Sequence, residues 1–336
     1  MSIVETTQMR FERVKWQFRA FKKYLQLKPV INRTKSIPKG ALLSFSTVRN
    51  ELPRLPYFFR YYRDLGIDHF FFVDNDSTDG TREYLADQPD TSVWTTQGSY
   101  KRAKFGMDWL NALLNLYAHG NWVLVVDVDE FLVYPKIDTR NLRALTDWLD
   151  ASKRRSLGAM LIDMYSRTPI SDAAYKPGEN PFHTLNYFDS GNYVYEQNHK
   201  YSNLWIQGGP RQRVFFPNKP ELGPALNKIP LVRWSRGIVY ISSTHTILPR
   251  GLNRVYDMWG GEKASGCLLH AKFLSIFADK AEEELARGQH YAASREYKAY
   301  QTHLAEGQGL WTPNSTRYSG WQQLEHLGLI SSGDWL

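Results

Sequence analysis

The chain has 336 residues, of which 42% are hydrophobic and 14% aromatic, so it can bury a large core and does not have the composition of a disordered protein. Its formal charge of +8 lies in the first 40 residues, which hold ten of the 42 basic side chains and two of the 34 acidic ones. The rest of the chain sums to zero. Because domains that grip nucleic acid carry excess positive charge across the binding surface, this composition argues against a nucleic-acid partner.

Two further features bear on location. A single cysteine, Cys267, excludes an intrachain disulfide and is typical of a reducing compartment, so we expect a cytoplasmic protein. No signal-peptide pattern precedes the body, and no apolar run approaches the ~18 residues of a membrane span. We therefore expect a chain that does not cross a membrane.

Residues 9–28 have the pattern of a basic amphipathic helix. Its apolar residues recur at steps of three and four, as one helical stripe, and Arg and Lys fill much of the remaining surface. Such a helix can lie on an anionic membrane, which would make the protein peripheral, or dock on its own domain, or form a dimer contact. The pattern leaves these options open, with a nucleic-acid tail least favoured. The stripe consists of Phe11, Val14, Phe18, Phe21 and Leu25.

From residue 41 the chain alternates between strand and helix signals. Strands that are apolar throughout, separated by helices, predict an α/β fold with a parallel sheet covered on both faces. The predicted strands are 41–47, 68–74, 92–95 and 121–127, and the predicted helices are 52–65, a short one through Tyr84 and Leu85, and 101–118.

The pattern is weaker beyond Pro135. It predicts mostly loops over 164–225, where Pro, Gly, Asn and aromatic residues are frequent. Around this region it predicts helices at 141–151, 276–288 and 290–305 and strands at 157–163, 231–234, 238–242 and 266–273.

Acidic residues follow two of the predicted strands. The second strand runs into Asp74-Asn75-Asp76-Ser77-Thr78-Asp79-Gly80, and the last strand of the unit ends in Asp127-Val128-Asp129-Glu130. Ligands of open parallel sheets bind beyond the carboxyl ends of the strands, and paired carboxylates suit Mg²⁺ or Mn²⁺. Either motif alone also fits an ordinary cap or turn. Both together favour a site.

The run from Ser44 to Pro135, with VRNE, FVDNDSTDGT and VDVDEFL, resembles the GT-A catalytic domain of family two glycosyltransferases. It is most similar to the bacterial branch whose second motif is DxDEF. A looser resemblance continues through 208–213, 227–234, 243–245 and 268–273. The resemblance implies a GT-A (Rossmann-like) fold, with a mostly parallel sheet flanked by helices and a C-terminal acceptor-side region.

The resemblance also implies a function. It suggests a metal-dependent transferase, using Mn²⁺ or Mg²⁺, that moves a sugar from a nucleoside-diphosphate donor to a glycan or lipid-linked acceptor. The family implies inversion and a role in cell-surface polysaccharide synthesis. A catalytically silent nucleotide-sugar-binding or scaffold protein is the alternative. The expected parts are the basic helix and linker (1–40), a donor half (41–135), an acceptor side (136–275) and C-terminal helices (276–336).

Site residues follow from the same resemblance. Asp127 and Asp129 match the metal pair, and a late histidine is expected as a further ligand, with His270 favoured over His245. The donor-binding residues are expected to be Thr47, Arg49, Glu51, Asp74, Asp76, Lys104, Asp127 and Lys272.

An inverting transferase needs a carboxylate that deprotonates the acceptor hydroxyl. Asp163, at a predicted strand end, is the first candidate, and Glu262, in Gly260-Gly261-Glu262, is the second. Glu221 and Asp257 are the remaining candidates.

Overall fold

A computed structural model describes residues 3–257, 263–277 and 309–335 of the chain. The helices are α1 Ile3–Tyr24, α2 Leu55–Asp64, α3 Thr81–Asp87, α4 Met107–Tyr117, α5 Leu142–Ala151, α6 Gly209–Phe215 and α7 Trp321–His326. The strands are β1 Lys28–Ile31, β2 Leu42–Val48, β3 His69–Asp74, β4 Thr91–Thr95, β5 Trp122–Val125, β6 Glu130–Val133, β7 Ser156–Asp163, β8 Tyr187–Phe188, β9 Tyr193–Asn198, β10 Asn203–Gly208, β11 Asn227–Arg233, β12 Val239–Ser242, β13 Thr246–Leu248, β14 Ser265–His270 and β15 Thr316–Arg317.

One nine-stranded sheet organises the molecule, in the order β1-β4-β3-β2-β5-β11-β7-β14-β6. Strands β2, β3, β4, β5, β7 and β14 run in one direction, whereas β1, β11 and β6 run against them. The predicted α/β fold with a mostly parallel central sheet flanked by helices is therefore confirmed.

Both faces of the sheet are buried, which explains the uninterrupted apolar strands. Successive side chains of a strand point to opposite faces, so Phe70 and Phe72 join the core beneath α2 and α5, while Phe71 joins the core beneath α4. Phe71 stacks on Phe45 with ring centroids 4.3 Å apart. Each fully buried ring of this kind contributes about 1.5–3 kcal/mol.

Two predicted elements differ from the structure. Helix α4 begins at Met107 rather than at residue 101, because Lys104, Phe105 and Gly106 all have positive φ angles that no α-helix continues through. The region 164–225 is mostly loop as predicted, but it also contains the β9–β10 hairpin and α6, which the pattern did not predict. Strand β9 is largely exposed, so it lacks the apolar pattern that would have predicted it.

Other predictions fall partly or wholly on residues that the structure does not describe. The predicted helix at 276–288 lies outside the described residues from residue 278 onward, and the one at 290–305 lies wholly outside them. Glu262 also lies outside the described residues. Among the residues that are described, no helix combines the length and the apolar character needed to cross a membrane.

Candidate active site

Polar side chains from four strands meet at one edge of the sheet. β7 ends at Asp163 and β14 at His270, and these two residues are partners in the parallel register. β6 runs the other way and begins at this edge with Glu130, which is paired with His270. β11 also begins here, so its second residue, Lys228, reaches the same place. The sheet topology thus gathers residues that are far apart in sequence.

A chain of contacts runs through His270. Its Nδ1 lies 2.7 Å from Oδ1 of Asp163, and its Nε2 lies 3.4 Å from Oδ2 of Asp129. The second oxygen of Asp163 accepts a hydrogen bond of 2.7 Å from Nε of Arg211, which α6 inserts beneath the sheet edge. Asp163, Arg211 and His270 are all buried. Both oxygens of Asp163 are therefore engaged inside the protein.

The charges in this chain stabilise one another. Burial alone would lower the pKa of His270, but Asp129 and Asp163 outweigh it and raise that pKa above its usual value. Burial also acts to raise the pKa of Asp163, yet Arg211 and His270 lower it to about 2. The pKa of Asp129 is likewise held well below its usual range, mainly by His270. Both carboxylates are thus ionised at neutral pH.

A second ion pair lies beside the first. Nζ of Lys228 is 2.9 Å from Oε1 of Glu130, and both side chains are buried. Burial acts to lower the pKa of Lys228, but the negative charges of Glu130 and then Asp127 raise it overall. The other oxygen of Glu130 accepts the backbone N–H of Asp127 at 3.4 Å, which fixes the start of the acidic motif.

Asp127 is exposed at the mouth of this cluster. The negative charge of Glu130 beside it acts to raise the pKa of Asp127, and Lys228 offsets this effect only in part. An exposed carboxylate in this position faces whatever binds at the sheet edge.

The two candidate histidines occupy different environments. Nδ1 of His245 lies 2.5 Å from the carbonyl of Asn227, and its ring packs against Trp205. Burial, reinforced by Lys228, lowers the pKa of His245 to about 3, so this ring is neutral. His270, in contrast, contacts Asp129 directly. Of the two histidines, His270 is the better placed to bind a cation together with Asp129 of the acidic motif.

Asp129 and His270 are placed so that both could hold Mn²⁺ or Mg²⁺ once Nε2 of His270 gives up its proton, since only the neutral ring binds a metal. Asp163 holds Nδ1 of His270, so Nε2 is directed to Asp129, as in the carboxylate–histidine arrangements that orient metal ligands. Their 3.4 Å separation is near the roughly 3 Å between adjacent ligands of an octahedral ion. Within the described ranges, no group of three or more His, Cys, Asp or Glu side chains forms a cation site. A cation here would therefore complete its shell with phosphate oxygens and water.

The acidic loop after β3 is held by its own aspartates. Asp74 is fully buried and accepts the N–H of Ser77 at 3.3 Å and the hydroxyl of Thr95 at 3.2 Å. Asp79 accepts the N–H groups of Leu52 and Thr81, so it ties this loop to the one after β2. Through these contacts Asp74 and Asp79 stabilise the conformation of the loops. Donor binding by Asp74 stays a prediction.

The loop after β2 is fastened from the other side. Arg49 donates to the carbonyls of Asn75 and Asp76, at 2.7 and 2.6 Å. Glu51 is buried and forms a 2.9 Å ion pair with Arg54. The Asp76 side chain is 46% exposed on a residue with a φ of 62°, so it points out of the turn. Asp76 is thus accessible to a ligand, whereas Glu51 is not.

Three more predicted residues surround the edge. Thr47, the penultimate residue of β2, has a buried hydroxyl without a hydrogen-bond partner within the described parts of the chain. Nζ of Lys104 lies over the ring of Trp16 in α1, 5.4 Å from its centroid, which turns this lysine towards the N-terminal helix. Lys272 lies near enough to Asp129 to help lower the pKa of that carboxyl. Of the two lysines, Lys272 is the one whose charge acts on Asp129.

A cavity of about 620 Å³ lies beside α6. Arg211 faces Asp163, and the next two residues of the helix, Gln212 and Arg213, line the cavity. Arg213 holds Asp189 with two 3.0 Å hydrogen bonds, which fixes one wall. No sequence signal predicted Asp189, because it lies in the loop-rich region. The cavity is further lined by Ser190, Gly191, Asn192, Phe216, Pro217, Pro220, Thr312 and Asn314.

Comparisons with known proteins give distant structural likeness only. No protein-family model and no curated protein matches the sequence. A 4-diphosphocytidyl-2C-methyl-D-erythritol synthase aligns over 42% of this chain and 66% of its own, with 16% identity and a TM-score of 0.25. The mannosyltransferase PcManGT from Pyrobaculum calidifontis, in complex with GDP-Man and Mn²⁺, aligns over 97% of this chain and 79% of its own, with 13% identity and a TM-score of 0.29. At these scores neither likeness carries an argument about function.

Proposed function

We propose that this chain is a metal-dependent glycosyltransferase that moves a sugar from a nucleoside-diphosphate donor to a glycan or lipid-linked acceptor. The observation that carries the proposal is the Asp129–His270 pair, oriented by buried Asp163 at the carboxyl edge of a parallel sheet. The resemblance of the VDVDEFL and FVDNDSTDGT segments to family two glycosyltransferases supports it independently.

Asp129 and His270 would hold Mn²⁺ or Mg²⁺, with Asp127 exposed beside them for the donor. The cation supplies charge neutralisation for a leaving diphosphate. Lys272 adds a positive charge next to Asp129, suited to a phosphate oxygen. Buried Lys228 and Glu130 neutralise each other, so they support the acidic motif rather than bind phosphate.

We assign Asp163 a positioning role. A general base must reach the proton that it removes, yet the oxygens of Asp163 are occupied by His270 and Arg211 in a buried setting. Its pKa of about 2 also makes it a weak proton acceptor. Glu262 lies outside the described residues and is retained as the candidate base in this proposal.

The cavity beside α6 is the proposed acceptor site. Its lining combines side-chain amides, hydroxyls and one aromatic ring, which is chemistry that suits a hydroxyl-rich glycan: Gln212, Asn192 and Asn314 offer hydrogen bonds, and Phe216 offers a flat apolar face. Arg211 and Gln212 are consecutive residues of α6, so this helix contributes both to the cavity, through Gln212, and to the ion pair with Asp163, through Arg211.

The proposal is tested by a thermal-shift screen of nucleoside diphosphates and nucleotide sugars with and without Mn²⁺, followed by an assay of sugar release from the best ligand. A ligand that binds the native state raises the melting temperature, by an amount equivalent to about 2.7 kcal/mol at one hundred times its Kd. We expect a metal-dependent shift that Asp129→Asn removes. The matched control is Asp87→Asn, which removes an exposed carboxylate from the end of α3.

The outcomes separate the possibilities. A shift with no turnover would support a nucleotide-sugar-binding protein without catalysis. Equal metal-dependent shifts in the melting temperatures of the wild-type and Asp129→Asn proteins would refute Asp129 and His270 as the metal-binding pair. The absence of any nucleotide-dependent shift would refute the family resemblance as a guide to function.

A further inference from the structure

The apolar stripe of α1 lies on the outer surface of the protein. Its five side chains are all exposed, from 57% for Phe18 to 77% for Leu25. Four of them are large aromatic or leucine side chains: Phe11, Phe18 and Phe21 of α1, and Leu25, which directly follows the helix. Single exposed apolar residues are ordinary on a protein surface, but a contiguous row marks an interaction site.

The stripe faces outward because the opposite face of α1 is docked. Ala20, on that face, is buried, and Arg19 forms a 2.7 Å ion pair with Asp108 of α4. Met9 and Trp16 pack against the β12–β13 hairpin. The helix is therefore fixed to the body through a mixed polar face, and its apolar face is left uncovered within the described structure.

The charged side chains of α1 are also divided between its outer face and the face that packs on the body. Arg10, Lys15 and Lys22 are exposed and flank the stripe. Glu12 is turned to the body, where its carboxylate accepts a 2.7 Å hydrogen bond from the Tyr201 hydroxyl and lies 3.2 Å from Nζ of Lys200. From residue 10 to residue 22, the exposed side chains of α1 are thus all basic or apolar.

We propose that this outer face of α1 docks on an anionic lipid surface, independently of the catalytic proposal. Aromatic and leucine side chains enter the boundary between headgroups and acyl chains, while flanking lysines and arginines meet the lipid phosphates. The docked inner face presents the helix in this orientation before binding, so little ordering is required when it binds. The body is neutral, which confines the attraction to this face.

A second copy of the chain is a poorer occupant. The steps of three and four are also those of a coiled-coil seam, in which Lys15 and Lys22 would both flank the core at the same heptad position. In an antiparallel pair these lysines would face each other, and in a parallel pair Arg10 would face Lys15 of the other helix. Like charges at these positions oppose pairing, whereas anionic lipid favours them.

The test is flotation of the full chain with vesicles of phosphatidylglycerol or of phosphatidylcholine alone. We expect binding to the first, weakened at about 0.5 M NaCl, and little to the second. The double variant Phe18→Glu with Phe21→Glu should abolish binding. Replacing Lys15 and Lys22 by Gln should weaken it roughly 25-fold, since each surface lysine contributes about fivefold.

A matched control keeps the charge change but moves it. Val194→Glu with Tyr195→Glu adds the same two negative charges at exposed apolar positions of β9 and should bind as the wild-type chain does. All variants should keep the wild-type melting temperature, because the changed side chains are exposed. Sedimentation velocity covers the other occupant. The proposal would be overturned if the chain forms a dimer that the double variant Phe18→Glu with Phe21→Glu disrupts, and does not bind vesicles. Equal binding to both lipids, or binding to neither, would also overturn it.

Discussion

Nδ1 of His270 lies 2.7 Å from Oδ1 of Asp163, and the two residues are also backbone partners in adjacent parallel strands. The contact is therefore fixed twice, by strand register and by a charge-assisted hydrogen bond. Because Asp163 holds one nitrogen of the ring, the other faces Asp129.

Asp163→Asn is expected to lower the free energy of unfolding by about 3 kcal/mol. The change removes the negative charge between Arg211 and His270, and breaking a buried ion pair from one side carries a cost of this size. Urea unfolding measures it. Asp87→Asn, at an exposed carboxylate, should change the free energy by less than about 0.5 kcal/mol. A similar value for Asp163→Asn would show that the buried charges do not depend on this carboxylate.

The buried pair of Lys228 and Glu130 is expected to behave as one unit. Lys228→Met should cost about 3 kcal/mol, because it leaves the charge of Glu130 buried without its nearest cation. The double variant with Glu130→Gln should cost clearly less than the two single changes added together, by about 1–3 kcal/mol. A double-mutant cycle in urea measures this coupling, with exposed Lys219→Met as the control. Simple additivity would mean that the two charges do not interact.

Part of this site could be predicted from sequence because of how parallel sheets are built. Asp74, Asp127 and His270 each follow or end an apolar run, and the carboxyl ends of parallel strands share one edge. Local pattern was therefore enough to place them on the same side of the molecule.

The partners of these residues could not be predicted in that way. Arg211 comes from α6, a short helix in a region without apolar periodicity, and its pairing with Asp163 depends on long-range packing. The orientation of α1 was also beyond the sequence pattern. Its apolar stripe looks like a docking face, yet specific contacts such as Arg19 with Asp108 dock the opposite face.

Gly106→Ala should destabilise the protein more than a backbone argument alone predicts. Gly106 has a φ of 78°, and an added Cβ would lie 2.5 Å from Oγ1 of Thr47. Gly120→Ala is the matched control, since Gly120 has a φ of 83° but nothing within 4 Å of the added atom. We expect about 1 kcal/mol for Gly120→Ala and about 2–4 kcal/mol for Gly106→Ala, from urea unfolding.

The loss of unfolding free energy in Gly106→Ala beyond that in Gly120→Ala measures the cost of the contact with Thr47. Adding Thr47→Ala to Gly106→Ala should recover part of that excess, because the hydroxyl and methyl that crowd the new Cβ are removed. Equal costs for the two glycine variants would mean that Thr47 moves aside without penalty. That result would argue against a rigid wall at the end of β2.

His69 predicts an acid-sensitive step in stability at the opposite edge of the sheet. The ring is buried at the start of β3 and lies 2.9 Å from the Ser92 hydroxyl. Burial lowers the pKa of His69 from 6.5 to about 4, with Asp90 acting to raise it and Arg33 to lower it further. The unfolded chain therefore takes up this proton first as the pH falls. The stabilising contribution is complete above about pH 6.5 and is lost as the pH falls to about 4.

His69→Gln removes this titration and keeps a hydrogen-bonding side chain beside Ser92. The difference in unfolding free energy between wild type and variant should shift by up to about 3 kcal/mol between pH 7 and pH 4, against the wild-type protein at low pH. Urea unfolding at a series of pH values measures it, and exposed His326→Gln serves as the control. Carboxylates remote from His69 that titrate in the same range affect both proteins equally, so they cancel in the difference, whereas Asp90 interacts with His69 and its titration is part of the measured effect. Parallel pH curves for the wild type and His69→Gln would show that His69 takes up its proton as readily in the folded protein as in the unfolded chain.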